Sequence, residues 1–517
     1  MKQTLLLGIA LFSIFLVRAS TYNILDYGAK ENKLSTLAIQ SAVNKCNEEG
    51  GGTVLIPRGT FITGTVILKS NVHIYLEPGA LLLGSSDLKD YIVTFKTHGI
   101  FFAENAENIS ITGKGTIDAR GTQFFDATKN HVYEEFDKQR TRQKEGYMPK
   151  GEFFTDGPIG KRPKSGMTIS FFHCTKVILE DFMLKDTPSW AVRLAYCDNV
   201  LVKGLSIRNN LMVPNSDGVH LTTSRNVRMS DCDISAGDDA FIVTGFSKDE
   251  ENPGYTMEEQ NKFTFGNKTP YAENINVTNC QFQSRSSGIR IGYGQHPIRR
   301  CIFSNITIYG SNRGIGIFAH DAADIEELIF SDIIIETRLH NGQWWGNGEP
   351  IHLSSISRFE GETAGQIKNV QFNNIIAKGE HGLLLYGIEE SHLQNISFNN
   401  ISLNIVKGKE TMAYGGNFDL RPAADISMQI FEHDISGLYA QFVDGLSING
   451  FNLKWGNDLP DFFTHGIECE NVTAFSLSGF EGAGNPQVRG SKAIKLEKTK
   501  YSEKLGSTEL IKKIMPN

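Results

Sequence analysis

Residues 176–185 read KVILEDFMLK, residues 199–208 NVLVKGLSIR and residues 226–235 NVRMSDCDIS. In each, apolar side chains fall at i, i+2, i+5 and i+7: Val177/Leu179/Phe182/Leu184, Val200/Val202/Leu205/Ile207 and Val227/Met229/Cys232/Ile234. Steps of two keep side chains on one face of a strand, and the step of three requires a bend that turns the next strand inward again. Each unit therefore reads as two short strands around a corner. The pattern returns at Ile275, Cys301, Leu328, Val370, Ile396 and Leu446, with steps of 23, 27, 48, 26 and 27 residues from Val177 to Leu328. A spacing in the twenties, doubled once, predicts an all-β, right-handed parallel β-helix, a solenoid whose coils bury their inner faces only against each other. A leucine-rich horseshoe needs leucine spacing and helical segments that are missing. Asparagines at the corners (Asn199, Asn226, Asn274, Asn373, Asn374, Asn399, Asn400) read as a ladder bonding to turn backbone.

The rest of the chain is consistent with one elongated body. It has 517 residues, 40% of them hydrophobic, and 51 Lys+Arg against 58 Asp+Glu give a net charge of −7. That balance excludes a disordered chain and offers no basic footprint, so nucleic acid is not an expected partner. Residues 1–20, with Lys2, an apolar stretch from Leu5 to Val17 and Ala19 near a cut, read as a secretory signal peptide. No later stretch is apolar enough to span a membrane, so an exported protein, periplasmic or extracellular, is expected, with residues 21–517 as a single β-helix domain. Thr36 to Glu49 carries Ile39, Val43 and Cys46 at helical spacing and predicts a helix capping the open end of the coils. Residues 120–164 break the repeat and read as a surface loop insertion. The seven cysteines are odd in number, lack paired spacing, and include three on apolar repeat positions, so no disulfide framework is expected. No metal-ligand signature occurs, and neither a metal nor a cofactor is expected.

Chemistry concentrates in Asn215-Ser216-Asp217-Gly218-Val219-His220 and Gly237-Asp238-Asp239-Ala240. Asp217 and Asp239 are about one coil apart, so three carboxylates should share one patch. Mutual repulsion raises at least one of their pKa values, which suits acid/base work on a glycosidic bond: one protonated acid for the leaving oxygen, one carboxylate for the water. Any one of these acids alone would read as an ordinary turn residue.

With GKGTIDARG (113–121) and CTKVILEDFMLKDTPSW (174–190) before them, these motifs resemble the polygalacturonases of glycoside hydrolase family 28, from about Tyr22 to about residue 335 and more weakly beyond. The resemblance implies inverting hydrolysis of pectin-type chains, with Asp238 as general acid and Asp217 and Asp239 activating water; His220 follows a variant found in plant members. Two departures stand out. Ser286-Ser287-Gly288 replaces the family's Gly-His-Gly, and Gly316-Ile317-Phe318 replaces Arg-Ile-Lys, which grips a galacturonate carboxylate.

Aligning WAVRLA (190–195), DGVHLT (217–222), DAFIVT (239–244), SGIRIG (287–292) and RGIGIF (313–318) gives one outward column of Arg193, His220, Ile242, Arg290 and Gly316. The anion-binding role is expected at Arg290 together with Arg193, against the alternative that these arginines pair with the acids. Asn215, His220, Ser287 and Trp345 complete the candidate substrate-binding set, Trp345 as a sugar-stacking face or as packing under its own loop. His381, in the column of Ser287, reads as a core or turn histidine. The expected partner is an acidic plant-type polysaccharide or oligosaccharide such as galacturonan or rhamnogalacturonan fragments, cut in exo mode if the insertion and the loops after residue 340 close one end of the cleft. The alternatives are a β-helical lyase and a non-catalytic glycan-binding solenoid.

Overall fold

The computed structural model describes residues 20–93, 98–132, 153–246 and 270–500. The expected signal peptide, apart from Ser20, and the middle of the 120–164 insertion lie outside the described residues. Strands from Thr21 to Glu497 join in one parallel sheet wound into a β-helix.

The repeat register is the one the apolar pattern dictates: Val177 lies beside Val200, Val200 beside Val227, Val227 beside Ile275, Ile275 beside Cys301, and Cys301 beside Leu328. The step of three is an inserted residue in left-handed backbone: Asn279, Asn305, Asp332, Asn374 and Asn400 have φ of 56°, 54°, 58°, 54° and 57°. Asparagine and aspartate tolerate that region because their short polar side chains bond locally. The corners are also tied together between coils, Asn400 Nδ2 donating to Asn374 Oδ1 and Asn374 Nδ2 to Asp332 Oδ1, both at 2.9 Å.

Each coil holds a third strand besides the two of the repeat. Val192–Ala195, Val219–Thr222, Phe241–Gly245, Ser287–Gly294, Arg313–Phe318 and Ile351–Ser354 stack in that order and form the face that carries the site. Inside, coils interlock through like residues: the rings of Phe303, Phe330, Phe372 and Phe398 stack at centroid distances of 4.8, 5.0 and 4.9 Å. All seven cysteines are buried. At the N-terminal end, helix α1 (Thr36–Glu48) buries Ile39, Val43 and Cys46 against the first coils. Among the described residues no helix is long and apolar enough to cross a membrane.

Candidate active site

The three acids sit where one strand face turns into the next coil. Asp217 and Asp239 precede Val219 and Phe241 by two residues each, and those two residues are paired, so the carboxylates occupy equivalent positions in adjacent coils. The backbones approach so closely that a Cβ on Gly218 would lie 2.1 Å from the Ala240 carbonyl oxygen. Any larger residue at 218 would push the two coils, and with them the two acids, apart.

Asp217 and Asp239 are only 3% and 4% exposed, whereas Asp238 keeps a solvent-facing edge. Asp239 is fixed on both oxygens: the Ser287 backbone N–H donates to Oδ1 at 2.8 Å and Arg290 Nε to Oδ2 at 2.5 Å. Asp238 accepts weaker bonds, from Asn215 N–H at 3.2 Å and Asp239 N–H at 3.0 Å. Burial, reinforced by the charge of Asp239, pushes the Asp238 pKa up to about 7. One acid therefore retains its proton near neutrality beside a second carboxyl group bonded to an arginine.

The acids open into a cleft of about 470 Å³. Asn215, Arg290 and Trp345 line it with them, and so do Trp190, Ser286, Tyr293, Gln343, Trp344, Arg358 and Phe359. The column read from the sequence is present in register: Arg193 pairs with His220, His220 with Ile242, Ile242 with Arg290, and Arg290 with Gly316. Its members differ in what covers them. Arg290 faces the cleft, paired with Asp239. Arg193 is fully buried, its guanidinium carbon 4.9 Å from the Phe172 ring and 5.3 Å from the Trp190 ring, and does not line the cleft. His220 is buried under Trp190, the ring centroids 3.8 Å apart, with Nε2 3.1 Å from Thr244 Oγ1 and Nδ1 3.7 Å from Asp217 Oδ2. Burial, with the charges of Arg290 and Arg193, drives its pKa well down, so the ring is neutral.

Ser287 contributes its backbone to Asp239 while its side chain is buried away from the cleft. His381 is a core histidine, its Nε2–H donating to the Asn417 carbonyl at 3.0 Å. Trp345 is half-buried, and its loop is pinned by Asn312 Nδ2, which donates to the Trp345 carbonyl at 2.8 Å. The insertion meets this loop: Thr155 N–H donates to Asn341 Oδ1 at 3.1 Å, and Asn341 N–H to Asp156 Oδ2 at 3.1 Å. Lys161 Nζ donates to Asn215 Oδ1 at 2.7 Å.

Sequence reading missed Trp190, Tyr293 and Arg358. Trp190 was recoverable, because it stands in the register of Asp217 one coil earlier. Arg358 lies on a loop between coils, where the repeat gives no signal.

Residues 157–337 match the family model described as glycosyl hydrolases family 28. Over these residues the chain is similar to family 28. Its sequence is 27% identical to an exopolygalacturonase of Zea mays over 52% of this chain and 62% of that protein. It is 26% identical to a probable polygalacturonase of Vitis vinifera over 45% of this chain and 46% of that protein. The chain thus spans about half to three fifths of the length of these curated relatives. In fold, it superposes on an exopolygalacturonase from Thermotoga maritima with a TM-score of 0.60 at 17% identity, over 84% of this chain and 92% of that one. The matched segment contains the three acids and Arg290 and ends before Trp345 and Arg358.

Proposed function

We propose that the chain is an exported glycoside hydrolase that cleaves the α-glycosidic bonds of galacturonate in pectin-type chains, with inversion and from a chain end. The observation that carries this reading is Asp238, protonated near neutrality at the edge of the cleft beside two buried carboxylates. Asp238 gives its proton to the glycosidic oxygen as the C–O bond breaks. Asp217 and Asp239 hold a water whose oxygen bonds to the anomeric carbon from the opposite face while one of them takes its proton. Arg290, with Nε on Asp239 and Nη1 on the Gly292 carbonyl, presents Nη2 to a substrate carboxylate. Exo action is supported by the contacts between Thr155–Asp156 and Asn341 beside the cleft-lining Gln343–Trp345.

The test is to incubate the purified protein with galacturonan, rhamnogalacturonan and their oligomers and follow both reducing ends and product size. Saturated monomer or dimer released early from galacturonan is the expected result. Mixed oligomers would overturn exo action, an unsaturated product absorbing in the ultraviolet would mean a lyase, and binding without cleavage a glycan-binding solenoid. Two further outcomes are expected. The kcat/KM profile falls on the alkaline side with an apparent pKa of about 7, because Asp238 must enter the reaction protonated. Arg290→Ala raises KM for oligogalacturonide roughly tenfold or more, in line with loss of a charge-assisted bond; an unchanged KM would remove Arg290 from substrate recognition.

A further inference from the structure

The place where family 28 keeps its Arg-Ile-Lys clamp is filled in this chain. The Phe318 ring folds back over Gly316, so that a Cβ on Gly316 would lie 2.6 Å from the ring, and no arginine fits there. Phe318 instead stacks on Tyr293, with centroids 6.0 Å apart and planes 23° apart, and Arg313 packs its guanidinium carbon 5.0 Å from the Phe318 ring. Tyr293 in turn stands between two cations of the cleft: the Arg290 guanidinium carbon is 4.9 Å from its ring and that of Arg358 is 4.8 Å.

Arg358 is held but not used up. Its Nε donates to Asp321 Oδ1 at 2.5 Å, and its guanidinium also packs 4.6 Å from the Phe359 ring. Among the described residues its two terminal nitrogens make no hydrogen bond, and the side chain remains 20% exposed to the cleft. A guanidinium fixed through Nε with both Nη groups open is poised for a planar anion, and carboxylate is the anion of an acidic sugar.

We propose that Arg358 is a substrate-carboxylate ligand that, with Arg290 across Tyr293, forms an arginine pair selecting uronic acid units over their methyl esters. Phe318 and Arg313 serve as its support. The inference rests on the acidic-glycan reading above and names the group that reading leaves unassigned, since Arg193, the second arginine expected from the sequence, is sealed between aromatic rings. Loss of charge on the sugar removes what both guanidiniums bind, so the pair sets a preference for free acid and not merely for a sugar ring.

The test measures binding, so it does not depend on turnover. In an Asp238→Asn background, trigalacturonate and its methyl ester are titrated calorimetrically against the protein with Arg358 intact, Arg358→Ala and Arg358→Lys. The expected result is tighter binding of the free acid than of the ester, a dissociation constant for the acid at least tenfold higher in Arg358→Ala with the acid-over-ester preference largely gone, and an intermediate value in Arg358→Lys, which keeps the charge but not the fork. An unchanged acid-over-ester ratio in Arg358→Ala would overturn the proposal, as would an equal loss for both ligands. Binding of neither ligand to the protein with Arg358 intact would instead overturn the acidic-glycan reading and this inference with it.

Discussion

Asp238→Asn lowers hydrolysis by about a thousandfold, the scale of a lost general acid, and the same change stabilises the protein more at pH 8 than at pH 5. Both effects follow from one proton. In the fold, the Asp238 pKa stands near 7, while in the unfolded chain the carboxyl has its ordinary value near 4. A group raised in this way binds its proton more tightly when folded, so its stabilising contribution is complete below about pH 4 and is lost as pH rises through about 7. Above that pH, Asp238 is a carboxylate pressed against the Asp239 carboxylate, and folding bears a cost of at most a few kcal/mol.

An amide at 238 has no charge at any pH and escapes the cost. It offers one acceptor where the carboxylate offers two, to Asn215 N–H and Asp239 N–H, so part of the gain is lost to a poorer bond. The quantity to read is therefore the difference in melting temperature between the variant and the parent at pH 8, minus the same difference at pH 5. A positive value with activity gone is expected. A value of zero would mean that Asp238 is not held protonated by its neighbours, and the assignment of general acid would fall with it.

Much of this was legible because a solenoid maps sequence offset directly onto space. The step of three in KVILEDFMLK encodes an extra left-handed residue, and one such residue per corner fixes the register of every later coil. Arg193, His220, Ile242, Arg290 and Gly316 could thus be lined up from the sequence. The column gives direction but not cover. Whether an outward side chain meets solvent or another ring depends on residues from other coils, and so Arg193, clasped by Phe172 and Trp190, could not be told from Arg290. The third strand was legible from residue 190 to 318, where five segments share one register, but not as a strand of every coil, because the repeat was read as two strands per unit. Arg358 had no periodic position from which to be read, and neither did the hairpin of Phe418–Asp419 with Ile430–Phe431.

That hairpin carries the second large effect: Arg421→Met destabilises the protein by about 3–5 kcal/mol, the usual result of stripping one partner from a buried ion pair. Arg421 and Asp419 are both buried and meet through two bonds, Nε to Oδ1 at 2.7 Å and Nη2 to Oδ2 at 2.8 Å. Burial raises the Asp419 pKa, but Arg421, joined by Arg313 and the Gly346 N–H, outweighs it and holds the carboxyl below its ordinary range. The pair also anchors the cleft wall, since Arg421 Nη2 donates to the Trp344 carbonyl at 3.1 Å and Gly346 N–H donates to Asp419 Oδ2 at 2.5 Å. Without Arg421, Asp419 either stays charged in a dry site or takes a proton and weakens its hold on Gly346, so the Trp344–Gly346 loop loosens and KM rises along with the loss of stability. The double variant Asp419→Asn/Arg421→Met removes both charges and should be more stable than Arg421→Met alone, because the dominant cost is a buried carboxylate left with Arg313, 3.9 Å away, in place of a bidentate partner, and not the missing bond. Denaturant unfolding of the parent, the two single variants and the double variant decides between these terms. If the double variant is the least stable of the four, the pair stabilises the loop chiefly through its bonds, and the cleft wall stands on hydrogen bonding alone.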